Sequence, residues 1–205
     1  MTHEPSSVFL VDDDPVQVLF LGAILRTAGY RVEAFEQPEA LLSRLSMRDR
    51  GCVVLDLEMP GLNGLALQRA LFERGVTMPL LFVSGRADVP AAVAAMKQGA
   101  VDFLSKPVDP GELRAVVARA LRKDAEIAVE RGACDLARSR WAGLSPRERD
   151  VCRLFARGLL NKQIAAELGT MESTVQVQRA RALQKLQVGS LAEVVRLISQ
   201  VGDEN

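Results

Sequence analysis

Acidic residues and one lysine directly follow three of the apolar runs in this chain. Three consecutive aspartates occupy positions 12–14, Asp56 ends a second run, and Lys106 comes shortly after a third. Carboxylates that lie close together repel one another unless a cation joins them, and Mg²⁺ prefers such oxygen ligands. A carboxylate beside Mg²⁺ and a lysine is suited to accept a phosphoryl group, so these residues predict a phosphorylation switch.

Five short apolar runs alternate with helical patterns through the first 120 residues. The runs lie at 8–11, 31–35, 52–55, 80–83 and 101–104, and the helical patterns at 15–28, 38–47, 64–74, 88–98 and from near Pro110. Such an order is typical of a parallel sheet covered on both faces, with the weaker, alternating strand 31–35 at an edge. Ligands of these sheets bind at the carboxyl ends of the strands, where the acids lie.

The length and charge of the chain limit its organisation. A chain of 205 residues with 48% apolar residues is expected to form one large or two small globular domains. Residues 1–120 carry a net charge of −3 and residues 121–205 a net charge of +3. This difference favours an anionic partner for the second half, although it is small enough for ordinary surface scatter.

The cysteines and the N-terminus indicate a cytoplasmic protein. Cys52, Cys134 and Cys152 are far apart, no C-x-x-C occurs, and the only histidine is His3. This pattern predicts reduced thiols and no zinc site. The first residues lack the features of a signal peptide, and no apolar run approaches the roughly 18 residues of a membrane span, so no membrane partner is expected.

The second half of the chain has helical patterns throughout. The stretch from Leu113 to Arg140 has an apolar start and a charged continuation, and it predicts one long helix that runs into a linker. The linker is interpreted as a solvated spacer, with a dimerising helical seam as the alternative. We expect a first domain over 1–120, a helical linker over 121–143 and a second domain over 144–205.

Four helices are expected in the second domain. Ser-Pro-Arg-Glu at 145–148 forms a capping box with proline at the first helical position. Asn161 is expected to cap a short helix and Gly169 to make the turn before a longer helix over about 172–187. A last helix is expected over 191–201. A short helix, a glycine turn and a longer helix form the outline of a helix-turn-helix.

Four motifs in the first domain resemble those of a known family. They are Val11 to Asp14, Leu55 to Gly61, Val83 to Gly85 and Phe103 to Pro107. In this order they resemble the signature of bacterial response-regulator receiver domains, and the stretch from Leu144 to Val175 resembles the LuxR-type helix-turn-helix. Together they resemble the NarL/FixJ family of two-component transcription factors, and the FixJ-like branch through residues 88–103.

The resemblance implies a fold and a set of roles at the strand ends. The first domain would be an α/β receiver, a doubly wound parallel sheet of five strands with the flavodoxin-like order 2-1-3-4-5. The second would be an all-α, four-helix LuxR-type domain. Asp56 would be the phosphoacceptor, with Lys106 and Ser84 as further catalytic residues. Mg²⁺, with Mn²⁺ as a possible substitute, would be held by Asp12, Asp13, Asp56 and the backbone carbonyl of Glu58. Asp14 would be a spectator or a helix cap.

Two further pairs of residues take roles through the resemblance. Ser84 and Phe103 would form the switch, in which Ser84 moves towards the phosphate and Phe103 changes rotamer, with plain core packing of Phe103 as the alternative. Glu58 and Arg86 would tune the phosphoryl lifetime by pairing across the mouth of the site, with two unrelated solvated side chains as the alternative.

The outer face of the longer helix is expected to enter the major groove of DNA. Val175, Ala182 and Leu186 would pack inward. The expected DNA-binding residues are Lys162, Thr174, Gln176, Val177, Ala180, Arg181 and Lys185. Arg179 would pair with either Glu148 or DNA. Gln176 and Gln178 replace the lysine and histidine that the family usually has, and Thr170-Met171 replaces its usual helix cap.

The predicted function is phosphorylation-dependent control of transcription. A sensor histidine kinase would phosphorylate Asp56, after which the protein would form a homodimer and bind promoter DNA. Apart from Mg²⁺-dependent self-phosphorylation from a donor and autodephosphorylation, no enzyme activity is expected. The alternatives are a protein-interaction regulator with weak or lost DNA binding, and an aspartyl-phosphate hydrolase that would use Glu58 as its acid and base.

Overall fold

A computed structural model describes residues 6–85 and 89–202 of the chain. The chain divides into two compact units, residues 1–127 and 128–205, and the division falls inside one helix. No helix in the described ranges is both long and apolar enough to cross a lipid bilayer.

A parallel sheet of five strands forms the centre of the first unit. The strands are β1 (Ser7–Val11), β2 (Arg31–Phe35), β3 (Cys52–Asp56), β4 (Leu80–Ser84) and β5 (Asp102–Ser105). Their order in the sheet is β2-β1-β3-β4-β5, which confirms the predicted topology and the edge position of the alternating strand. All five residues of β3 and of β4 are buried, whereas β2 is half-buried, as expected for a strand with one neighbour.

Five helices alternate with these strands. They are α1 (Pro15–Thr27), α2 (Pro38–Arg44), α3 (Gly64–Glu73), α4 (Val89–Lys97) and α5 (Pro110–Ala142). The Asp14 carboxylate accepts a hydrogen bond from the Val16 amide and so caps α1. Asn63 caps α3 through the Ala66 amide, and prolines stand at the first turns of α1 and α2. The long helix predicted over 113–140 is present as α5.

Apolar side chains cover both faces of the sheet. Alternate residues of each central strand point to opposite faces, so Phe9 and Val53 pack on one side and Leu10 and Val54 on the other. The first side is covered by α2, α3 and α4, and the second by α1 and α5. The sheet therefore has a core on each side, and its carboxyl edge is left for the polar residues.

The second unit contains the end of α5 and four further helices. These are α6 (Pro146–Ala156), α7 (Asn161–Glu167), α8 (Glu172–Leu186) and α9 (Leu191–Val201). Ser145 and Glu148 form the predicted capping box. Val175, Ala182 and Leu186 are buried, as predicted for the inner face of α8.

The predicted cap of α7 is wrong by one residue. Leu160 occupies the N-cap position, and its backbone amide donates to Gln163 Oε1 at 2.8 Å. Asn161 is the first helical residue, and its side chain accepts a hydrogen bond from Arg179 on α8. The side-chain amide of Asn161 therefore links α7 to α8 instead of capping the start of α7.

Gly64, the first residue of α3, lies against the strand that carries Asp56. A Cβ at this position would lie 2.5 Å from the Asp56 carbonyl oxygen and 2.8 Å from Phe82 Cε1. Both neighbours are buried and neither can move freely. The glycine thus allows the loop after β3 to pass close behind the end of that strand.

We expect Gly64→Ala to lower the free energy of unfolding of the first unit by about 1–3 kcal/mol, because the methyl group overlaps packed atoms. Urea unfolding followed by circular dichroism would measure the change.

The matched control is Gly22→Ala in α1, where the added Cβ meets the mobile tip of Arg26 at 2.9 Å. This control should be neutral or slightly stabilising. Fluorescence of Trp141, the single tryptophan, should show no change in the second unit. Equal effects of the two substitutions would contradict the argument.

Candidate functional site

Polar residues from four neighbouring strands meet at the carboxyl edge of the sheet. Asp12 follows β1, Asp56 ends β3, Ser84 ends β4 and Lys106 follows β5. Because these strands are parallel neighbours in the sheet, their carboxyl ends lie side by side. The order of the strands therefore brings together residues that are up to 94 positions apart in the chain.

The Lys106 ammonium bridges the two buried carboxylates. Its Nζ atom lies 2.7 Å from Asp12 Oδ2 and 2.7 Å from Asp56 Oδ1. Asp12 is 1% exposed and Asp56 is 4% exposed. Burial of two acids costs free energy unless they are paired, and one lysine here pairs with both.

Burial and charge shift the titration of this cluster. Burial raises the pKa of Asp56 and the nearby Asp12 raises it further, while the hydrogen bond from Lys106 and the Glu58 amide lower it, with a net upward shift. Burial lowers the pKa of Lys106, but hydrogen bonds to Asp12 and Asp56 outweigh this effect, so the net shift is upward. The lysine therefore stays charged, and Asp56 holds its negative charge at a cost.

The other predicted metal ligands stand beside these two acids. The side chains of Asp13 and Glu58 are exposed, and Asp12 Oδ1 accepts from the Asp14 amide at 3.0 Å. Within the described ranges, no three His, Cys, Asp or Glu side chains are arranged as a ready metal cluster. The donors available near Asp56 are all oxygens, namely carboxylates and the Glu58 carbonyl, and this donor chemistry fits Mg²⁺.

The predicted switch residues lie on adjacent strands. Ser84 is fully buried, and its carbonyl accepts from the Lys106 amide at 2.7 Å. Phe103 is half-buried and packs against the core, with its ring centroid 6.5 Å from that of Phe82. Arg86, predicted to tune the phosphoryl lifetime, lies outside the described residues.

The outer face of α8 is open to solvent. Among the predicted DNA-binding residues the exposed ones are Lys162, Gln176, Val177, Ala180, Arg181 and Lys185, and Thr174 is half-buried. A shallow depression on this face is lined by Ser173, Thr174, Val177, Gln178 and Arg181. Met171 stands at the N-cap of α8 and its side chain makes no capping hydrogen bond.

Glu148 pairs with Lys185 and not with Arg179. The Lys185 Nζ atom donates to Glu148 Oε2 at 2.7 Å, and the same oxygen accepts from the Ser145 amide at 2.8 Å. The hydrogen bond from Lys185 is the main reason that the pKa of Glu148 is lowered. Arg179 donates to Asn161 Oδ1 at 2.8 Å and its guanidinium lies 4.9 Å from the centre of the Phe155 ring.

Sequence reasoning missed one buried acid of the first unit, Asp124 on α5. It continues the apolar stripe of Leu113, Val117 and Ala120 at helical spacing, and this placement was a signal that could have revealed it. Asp124 pairs with Arg50, which no motif had singled out.

The upward shift in the pKa of Asp56 predicts that Asp56→Asn stabilises the protein without added metal. A raised pKa in the folded state means that wild-type stability falls as pH rises from the ordinary aspartate pKa through the raised value. The gain from Asp56→Asn should therefore be absent at low pH, grow across that window and stay constant above it. Urea unfolding with a chelator at several pH values would measure it.

Asp14→Asn is the control for this titration, because Asn caps a helix as well as Asp does and this side chain is exposed. Its effect should not follow the same pH window. A gain for Asp56→Asn that is independent of pH would show that the buried charge is not its cause.

Comparison with known proteins places both units in known families. The sequence of residues 8–118 matches the family model of the response regulator receiver domain. The sequence of residues 142–198 matches the family model of the bacterial regulatory proteins of the luxR family. The transcriptional regulatory protein FixJ of Bradyrhizobium diazoefficiens is 39% identical over 95% of this chain and 95% of its own length. The response regulator protein TmoT of Ectopseudomonas mendocina is 34% identical over 99% of this chain and 92% of its own.

Solved structures agree with this assignment. A low-resolution structure of the response regulator StyR is 39% identical, covers 96% of this chain and 100% of that one, and has a TM-score of 0.84. Full-length FixJ from B. japonicum is 38% identical over 98% of each chain, with a TM-score of 0.59. The chain therefore belongs to the NarL/FixJ-type response regulators, and it is a phosphorylation-dependent transcription regulator with a receiver domain and a LuxR-type DNA-binding domain.

Proposed function

We propose that Asp56 is the phosphoacceptor of this regulator and that a sensor histidine kinase is its donor. The observation that carries the proposal is the bridge from Lys106 to two buried carboxylates at the carboxyl edge of the sheet. A carboxylate that is desolvated, held beside an ammonium group and oriented by a backbone amide is prepared for phosphoryl transfer. The exposed neighbours leave that edge open to a donor.

The chemistry of the transfer follows from these positions. One Asp56 oxygen attacks the phosphorus as the bond to the histidine nitrogen of the kinase breaks, and the nitrogen keeps the bonding electron pair. Lys106 already donates to Asp56 Oδ1 and can donate to the equatorial phosphoryl oxygens as charge develops on them. Ser84 offers its hydroxyl from the neighbouring strand. A small phosphodonor with an anhydride bond would support the same reaction.

Asp12, Asp13, Asp56 and the carbonyl of Glu58 would hold Mg²⁺, or Mn²⁺ in its place. The bound ion would offset the negative charge of the acids and of the incoming phosphoryl group. Asp12 and Asp56 are the buried members of this set and Asp13 and Glu58 the exposed ones. Glu58 and Arg86 would also control how long the phosphoryl group persists.

The phosphate then repacks the first unit. It adds roughly two negative charges and three acceptor oxygens beside Ser84. Ser84 turns towards it, and Phe103 changes rotamer to occupy the space that Ser84 leaves. This change alters the surface of α4, β5 and α5, so that two copies form a homodimer and place their α8 helices on related halves of promoter DNA.

The proposed domains are a receiver over 1–120, a linker over 121–143 and a DNA-binding domain over 144–205. A DNA-binding regulator acts where the chromosome is, so we place the protein in the bacterial cytoplasm. Beyond accepting and losing its own phosphoryl group it catalyses no reaction.

Uptake of phosphate from acetyl phosphate tests the acceptor. Intact-mass spectrometry should show phosphorylation of the wild-type protein with Mg²⁺ and loss of that signal with a chelator. Asp56→Asn should abolish it, because an amide cannot replace the carboxylate nucleophile. Asp14→Asn should leave it unchanged, since this residue only caps α1. Uptake by Asp56→Asn equal to that of the wild type would overturn the assignment, as would a wild-type protein that takes up no phosphate from any donor.

The pairing of Lys185 predicts unequal effects on DNA binding. Arg181→Ala should reduce the slope of log affinity against log salt by about one, because the exposed guanidinium of Arg181 releases one counterion when it contacts a DNA phosphate. Lys185→Ala should reduce the slope less, since its ammonium already pairs with Glu148. Fluorescence anisotropy with a promoter fragment at several salt concentrations would measure both. Arg138→Ala, on the exposed side of α5, is the control and should leave the slope unchanged. A larger effect of Lys185→Ala than of Arg181→Ala would contradict this reasoning.

A further inference from the structure

Asp124 is a buried acid that the phosphorylation chemistry does not use. It lies on α5 and is 7% exposed. Leu113, Val117 and Ala120 precede it on the same buried stripe, so it occupies a position where an apolar residue would be expected. A carboxylate is stable there only if other groups compensate for its lost hydration.

Arg50 and Gly51 supply that compensation. Arg50 Nε donates to Asp124 Oδ2 at 2.9 Å and to Oδ1 at 3.2 Å. Arg50 Nη2 donates to the backbone carbonyl of Asp124 at 2.8 Å, and the Gly51 amide donates to Asp124 Oδ2 at 3.1 Å. One arginine therefore holds both the side chain and the helical backbone of the same residue, which orients that turn of α5.

The amino ends of the two central strands lie at the same place. Gly51 has a φ of +139°, and a Cβ on it would lie 2.1 Å from the Ser7 carbonyl oxygen, where β1 begins. Burial and the nearby Asp124 raise the pKa of the Cys52 thiol to about 12. Cys52 begins β3, the strand that ends at Asp56. Thus β3 ends at Asp56, the proposed phosphoacceptor, and begins directly after Arg50 and Gly51, the partners of Asp124.

Asp124 also lies at the last turn of α5 within the first unit. The division between the units comes after Ile127, and α5 continues without a break to Ala142. Val129, just after the division, is 74% exposed. Three residues separate Asp124 from the division, so the contacts of Asp124 orient the helix close to the point where it leaves the receiver unit.

We propose that Arg50 and Asp124 are positioning residues that anchor the connecting part of α5 to the receiver. Through this anchor, the phosphorylated state of the receiver biases the activity of the DNA-binding domain. This inference rests on the proposed function. It separates the anchor from the chemistry: loss of the anchor leaves phosphate uptake intact but weakens its effect on DNA affinity.

The test compares wild type, Arg50→Gln, Asp124→Asn and the double variant in the full-length chain. Phosphate uptake from acetyl phosphate should stay within about twofold of wild type, since neither residue contacts Asp56. The gain in affinity for a promoter fragment on phosphorylation should fall by about tenfold in each single variant, a typical size for coupling between two sites. In the double variant this gain in affinity should be no smaller than in the single variant with the smaller gain, because the two residues act through one contact.

Hydrogen exchange in the unphosphorylated protein provides an independent readout. Peptides that cover 122–135 should exchange faster in Asp124→Asn and Arg50→Gln than in wild type, because the anchored turn opens more often. Arg44→Gln is the matched control. It breaks the pairs of Arg44 with Glu33 at 2.9 Å and with Asp49 at 3.1 Å in the same unit, and it should change neither exchange on α5 nor the response to phosphorylation.

Two outcomes would overturn the inference. One is unchanged exchange over 122–135 in both single variants. The other is a full gain in DNA affinity on phosphorylation despite faster exchange. Failure of the proposed function would look different, since the wild-type protein itself would then take up no phosphate or show no change in DNA affinity, while the exchange experiment would still decide whether the anchor exists.

Discussion

The ammonium group of Lys106 between two buried carboxylates is the interaction that makes the receiver site possible. Asp12 and Asp56 come from neighbouring central strands, and without a cation their charges would repel each other in a poorly hydrated place. The ammonium group pairs with both carboxylates, and the pKa of Asp56 is nevertheless raised because burial outweighs the pairing. Burial therefore opposes the negative charge of Asp56, and the ammonium group of Lys106 offsets that cost only in part.

The parallel sheet, its alternating edge strand and the site at the strand ends could be predicted from periodic signals in the sequence, whereas the full strand order came from the resemblance to response regulators. Buried strands appear as apolar runs, and the residue after such a run lies at the carboxyl edge of a parallel sheet. Asp56 and Lys106 were found in this way. Their roles came from the resemblance to response regulators, and the match over residues 8–118 confirms the family to which those roles belong.

The side-chain partners could not be predicted in the same way. Lys185 and Arg179 are both cations on α8, and only the packed structure shows that Lys185 reaches Glu148 while Arg179 turns to Asn161 and Phe155. The choice depends on differences of a few ångströms between helices. Asp124 shows the same limit, since its place on an apolar stripe indicated burial but gave no sign that Arg50 would be its partner.

The buried thiol at the start of β3 has a chemical consequence. A pKa of about 12 keeps Cys52 protonated throughout the physiological range, and the thiolate, not the thiol, reacts with oxidants. The Cys52 thiol in the sheet is accordingly unreactive towards peroxide and disulfide exchange. Oxidation at this end of β3 would therefore first require the strand to open and expose the thiol to water.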